Sequence, residues 1–300
     1  MISKAALLGG AAARGVAVLL ACACVPAAGR NVVDWVLYDA PPASMPVNDA
    51  PGNGMADQAL RLVLARWPDA EHRYIVANPK RFWSMMEAGE PVCTPAVLKT
   101  AQHDRLAYLS PMAAVPPFYL LTRAELAPQL PRNRAGEIRL DLLLRERRWQ
   151  GLLVEERSYG PQSDRLIAAD KGRARLAWNS PSTVGASNPR MVGEGRADWT
   201  IEFDFTLAHQ QRGDPQLTQL VSLPIAGNQT FLVYFACPRT PWGRAAIARI
   251  DAILAEPAVA RGMRAIMRAA LRQDSWRRHA PALDRYFSQR SAWQAPAGAR

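Results

Sequence analysis

Apolar runs of strand length alternate with amphipathic stretches of helical spacing along most of the chain. "NVVDWVLYDAPPASMP", Asn31 to Pro46, is a β-branched and aromatic run stopped by Pro41 and Pro42, which predicts a strand opening into a loop. In "GMADQALRLVLARW" the residues Ala59, Leu60, Val63, Leu64 and Trp67 fall on one face of a helix. "HRYIVAN" reads as a second strand. "PKRFWSMMEAG" reads as a helix, because Pro79 suits its first turn and Gly89 its end. "PVCTPAV" is a short extended segment, and "VPPFYLLT", Val115 to Thr122, is a further strand. Strand, helix, strand, helix, strand predicts a parallel sheet with helices on its faces.

The polar, turn-rich stretch "RAELAPQLPRNRAGE" then breaks the pattern and marks a candidate lobe boundary. A second alternating unit follows, with "RLDLLLRERRW" as helix, "GLLVEERSYG" as strand and turn, and "PQSDRLIAADKG" as helix. "ARLAWN" and "ADWTIEFDF" read as strands, and "QTFLVYFACP", Gln229 to Pro238, as a long strand returning to the first lobe. The helices "WGRAAIARIDAILAE" and "VARGMRAIMRAALRQ" close the pattern. The predicted fold is α/β and two-lobed. Its first lobe covers 28–123, its second lobe 124–228, and its return crossing and C-terminal helices 229–300. The outward crossing is expected between Phe118 and Pro131, and the return between Gly227 and Phe235. Two crossings between α/β lobes leave a cleft suited to a small ligand.

Composition narrows this picture. A chain of 300 residues, 49% of them hydrophobic, has enough apolar surface for such cores. The first residues carry Lys4 and Arg14, the apolar run Gly15 to Val25 and then small residues, the pattern of a secretory signal spanning 1–27 with cleavage near Ala27. "LLAC" also offers Cys22 for lipoprotein anchoring, the alternative to discarding Cys22 and Cys24 with the signal. Either route places the protein in the periplasm. Two cysteines remain, Cys93 and Cys237, and in an oxidising compartment an isolated pair favours a disulfide within the first lobe; two buried free thiols are the other reading. The net charge of +11 is concentrated late, with nine arginines against Asp274 and Asp284 in 261–300. Arg261, Arg264, Arg268 and Arg272 share one helical face, either simply solvated or facing an anionic lipid surface or an acidic partner. Export argues against a nucleic-acid partner.

The segments "KTAQHDRLAYLSP", "VGEGRADWTIEF" and "FLVYFACPRTPWGRAAIARIDAIL", together with the Pro-Pro after the first strand, resemble in order and spacing the bacterial extracellular solute-binding proteins of family 3, of the type II periplasmic binding protein fold. The similarity runs from about Trp35 to the last helix and is nearest an uncharacterised subgroup with paired cysteines. It implies a monomer that binds a small-molecule solute for a membrane transporter or sensor, with no cofactor. Where the family places an arginine that clamps a ligand carboxylate, this chain has His103, with Arg105 two places on. A neutral imidazole offers one N–H, so His103 reads either as a pH-dependent anion contact or as a solvated histidine. Where the family places an ammonium-binding aspartate, the chain has Phe203, flanked by Glu202 and Asp204, which a strand would point to the opposite face. Ser158 and Tyr159 end the second lobe's first strand, where an anion could be received at a helix start. Tyr38 and Trp83 are candidate apolar or stacking walls, or else core. Asn78 and Arg81 are candidate contacts, or else surface capping residues.

The expected function is therefore capture of a small polar or anionic solute, without catalysis. Two other readings stay open: an enzyme on the same scaffold, dehydratase-like or cell-wall-related, and a protein-interaction module with a vestigial cleft. The sequence has no G-x-S-x-G elbow, no H-E-x-x-H and no phosphate loop. His72, His103, His209 and His279 are scattered, with no spacing that suggests a metal.

Overall fold

A computed structural model describes residues 31–155, 157–170, 172, 175–179 and 187–290. The signal segment 1–27, with Cys22 and Cys24, lies outside the described residues. Strand β1 (Asn31–Leu37) pairs in parallel with β2 (Ala70–Val76) and β3 (Val92–Leu98). Helices α1 (Met55–Leu64) and α2 (Pro79–Glu87) make the connections. α1 turns Ala59, Leu60 and Val63 into the core, as its spacing predicts.

Two elements then appear that the hydrophobic pattern did not reveal, helix α3 (Ala101–Leu106) and strand β4 (Ala107–Val115). β4 hides from a pattern search because Pro111 sits in its middle. It is tolerated because β4 is the edge strand of the first sheet, whose order is β2-β1-β3-β10-β4, and because the pairing shifts register beside it, between Val233 and Tyr234.

β5 (Tyr119–Arg123), expected in the first lobe, instead pairs antiparallel with two strands of the second sheet. That sheet has the order β7-β6-β8-β5-β9, built from β6 (Gly151–Val154), β7 (Leu176–Asn179), β8 (Trp199–Glu202) and β9 (Leu220–Pro224). β6 runs parallel to β7 and β8. Helices α4 (Leu140–Arg145), α5 (Pro161–Ala169), α6 (Ser187–Gly193) and α7 (Asp204–Gly213) belong to this lobe. The chain returns through β10 (Phe231–Pro238), which inserts antiparallel between β3 and β4. Each sheet thus takes as its fourth strand the segment arriving from the other lobe. The crossings are the short stretches 116–118 and 225–230.

Helices α8 (Pro241–Leu254), α9 (Pro257–Ala270) and α10 (Gln273–Arg290) cover the first sheet. The pattern missed α10, whose periodicity is interrupted by Pro281. The first core gathers Trp35, Leu60, Phe235, Ile250, Met263 and Leu283; the second gathers Leu120, Leu140, Leu153, Tyr159 and Ile201. Cys93 on β3 and Cys237 on β10 form a disulfide, both fully buried. Arg290, at the end of α10, is also buried; its Nη2 meets Asp251 Oδ1 at 2.6 Å and Ser110 Oγ at 3.2 Å, which ties α10 to α8 and β4. Nearer its start, α10 reaches the second lobe, with His279 Nε2 2.8 Å from the Tyr119 hydroxyl. Burial, with Arg278 alongside, pushes the His279 imidazole down to about 4, so it is neutral there at physiological pH. On α9, Arg261, Arg264 and Arg268 are exposed, and the last two lie 5.1 and 5.3 Å from the Trp276 ring. No helix among the described residues is long and apolar enough to cross a membrane.

Candidate functional site

In open α/β sheets ligands bind beyond the carboxyl ends of parallel strands. In the first lobe those ends deliver Tyr38 after β1, Asn78 after β2 and the turn into α3 after β3. In the second they deliver Arg157 to Tyr159 after β6 and Phe203 after β8.

Tyr38 is half-buried, and its hydroxyl donates to Pro95 O at 3.1 Å. Burial raises its pKa, so the phenol stays neutral. Next to that carbonyl, Ala96 holds a φ of 63°, the left-handed region that a residue with a side chain seldom occupies. Asn78 caps α2 by accepting the Arg81 N–H at 2.9 Å, and both residues are exposed, which is the capping arrangement.

Thr100 caps α3 by accepting the His103 N–H at 3.1 Å. The His103 ring stacks on Trp83, with centroids 3.8 Å apart and planes 12° from parallel. Its Nδ1 lies 2.6 Å from Leu98 O, and since a carbonyl can only accept, Nδ1 carries the proton. The one N–H of the neutral ring is spent on the backbone, and the remaining nitrogen, Nε2, is an acceptor. Desolvation lowers the His103 pKa, outweighing the opposite pull of Leu98, so the neutral acceptor form prevails at neutral pH. Arg105 is exposed on α3.

In the second lobe Gly160, with a φ of 91°, turns the chain into α5. The expected opening for an anion at this helix start is filled from within the chain. Asp164 accepts the Ser158 hydroxyl at 2.6 Å and the Tyr159 N–H at 2.7 Å. Tyr159 is buried core, its hydroxyl accepts from Val154 N–H at 2.7 Å, and burial pushes its pKa up to about 12.

β8 stops at Glu202 and Phe203 is the N-cap of α7, so strand alternation does not apply beyond Glu202. Asp204 faces Ser222, and burial raises its pKa. Glu202, 2% exposed, forms a two-point ion pair with Arg157, Nη1 to Oε2 at 2.6 Å and Nη2 to Oε1 at 2.8 Å. Sequence reasoning missed Arg157 and the stack around Phe203. Phe203 lies 4.0 Å from Phe118 and 4.6 Å from Phe205, centroid to centroid, and Phe231 lies 5.7 Å from Phe118. Phe118 lies on the outward crossing and Phe231 opens β10 just past the return crossing, and Phe203 and Phe231 pack against the cores of both lobes. This aromatic stack joins the two strand edges at the crossings. Among the described residues no group of three or more metal-ligating side chains is assembled.

No protein-family model matches the chain, and no curated protein sequence does. Solved structures do. A histidine kinase sensor domain with similarity to periplasmic binding proteins superposes with a TM-score of 0.60 at 16% identity, over 81% of this chain and 96% of its own. A structure from glutathione import through GshT and the cystine ABC importer TcyBC of Streptococcus mutans gives 0.62 at 12% identity, over 80% and 94%. The probable amino-acid ABC transporter extracellular-binding protein ytmK of Bacillus subtilis gives 0.61 at 12% identity, over 81% and 98%. The fold is that of the two-lobed periplasmic binding proteins. The strand order, the paired crossings and the interlobe edges described above are its parts in this chain.

Proposed function

We propose that the protein is an exported solute-binding protein, a divergent member of extracellular solute-binding family 3, which captures a small polar or anionic solute between its lobes for a membrane transporter or sensor. The observation that carries this reading is the meeting of two carboxyl-end strand edges at a pair of crossings, each edge furnished with polar groups on aromatic supports. His103 on Trp83 stands on one edge and Arg157 with Glu202 beside Phe118 on the other. The buried disulfide supports an oxidising compartment, and the signal-like first residues support export to the periplasm. Both importer components and a sensor domain occur among structures of this fold, which supports either destination for the bound solute. Tyr38, Trp83, His103 and Phe203, with Arg157 added, are the contacts proposed for the solute, and Glu202 is the residue that holds Arg157 in place.

A thermal-shift screen of the purified protein against amino acids, polyamines, dicarboxylates and cell-wall fragments tests this. A solute that binds only the folded state stabilises it by about 2.7 kcal/mol at a hundredfold excess over its Kd, a readily measured rise in midpoint. A hit without turnover is the expected result. Turnover of the hit would favour an enzyme on this scaffold instead.

A further inference from the structure

Arg157 stands three residues past the end of β6, and its side chain is 15% exposed while that of its partner Glu202 is 3% exposed. Glu202 Oε1 also accepts the Phe203 N–H at 2.8 Å, so both carboxylate oxygens are engaged and the negative charge is balanced inside the lobe. A solute ammonium arriving at Glu202 would have to displace a guanidinium bonded through two nitrogens and strand it beside two rings. Removing one partner of a buried pair is strongly unfavourable. The carboxylate at this strand edge is therefore unsuited to receiving an amine.

The guanidinium has capacity left. It lies 5.2 Å from the Phe118 ring and 5.6 Å from the Tyr159 ring, which hold its plane. Of its five N–H donors Glu202 takes two, leaving Nε and the outer Nη hydrogens, a second fork of the shape that meets a carboxylate. In the first lobe the neutral His103 keeps Nε2 as an acceptor, which can take a proton donated by a hydroxyl.

We infer that Arg157 is the anion receptor of the interlobe site and that its solute is a small carboxylic acid without an α-amine, of the hydroxy-acid class. This rests on the solute-binding reading above. Calorimetry with two matched pairs, L-malate against L-aspartate and L-lactate against L-alanine, separates the alternatives. The hydroxy acid of at least one pair is expected to bind at least tenfold more tightly than its amino acid. Arg157→Lys keeps the charge but not the fork, and should weaken that binding at least tenfold. The double variant Arg157→Met with Glu202→Met replaces the whole pair with apolar groups, so it leaves no stranded charge and should lose the binding while still unfolding cooperatively. Amino acids binding as tightly as their hydroxy acids, or hydroxy-acid binding unchanged in both variants, would overturn the inference. A hit of another class in the thermal screen, with no heat from either pair, overturns the role of Arg157 and leaves solute binding standing. Silence across the screen and both pairs overturns both.

Discussion

A single hydrogen bond decides what His103 can offer a ligand. The donation from Nδ1 to Leu98 O leaves an acceptor nitrogen, and the stack on Trp83 removes water from one ring face. Since desolvation lowers the folded-state pKa below the ordinary value of about 6.5, the neutral ring contributes stability that is present above that value and is lost as pH falls toward the depressed one. Titration of the His103 ring protons by NMR should give a midpoint below about 6.5; a midpoint above it would mean that a nearby anion, not desolvation, governs the ring. The sequence singled out His103 only through its resemblance to the solute-binding family, at the place where that family has a carboxylate-clamping arginine. It could not make the tautomer legible, since that depends on a carbonyl five residues back and an indole on another helix. Arg157 illustrates the same limit. Nothing local distinguishes it from the chain's many other arginines, and its partner Glu202 lies 45 positions away in sequence.

At the level of elements, strands and helices with undisturbed periodicity were readable, among them β1, α1, β2, α2, β6, α5, β10, α8 and α9. The unread elements were α3, β4, α6, α7, β9 and α10, and in three of them local chemistry argues against the element. β4 carries a proline that only an edge strand beside a register shift can accept, and α10 carries Pro281. The start of α7 at Asp204 was hidden because "ADWTIEFDF" continues a strand-like pattern past the true end of β8. The disulfide is an element-scale device: it links β3 to β10 across a sequence separation of 144, and the enclosed chain contains the whole second lobe. Closing so long a loop restricts the unfolded chain, so replacing Cys93 and Cys237 with Ser should lower stability by about 2–5 kcal/mol. Denaturant unfolding of the variant against the oxidised parent measures this. An unchanged midpoint, with the bond verified by alkylation in the parent, would show that the loop restrains nothing in the unfolded state.

On the scale of the whole molecule, the two-lobed plan was legible because two α/β units are separated by a polar break, and β10 reads as a return strand. The exact exchange of strands was not, since β5 follows the first lobe's last strand after only three residues and is identified by its partners β8 and β9. Among the described residues, features that span the two lobes include the aromatic stack of Phe118, Phe203 and Phe231, the contact of His279 with Tyr119, the hydrogen bond of Arg272 to Gln211, and the crossings themselves. A solute bound between the lobes is proposed to lie in front of that stack, touching both strand edges. The most direct test is amide hydrogen exchange with and without a solute that raises the thermal midpoint. Protection should increase together in the turn into α3, residues 99–105, and at the second edge, residues 157–160 and 202–204. Protection confined to one lobe, or located away from both edges, would contradict binding between the lobes.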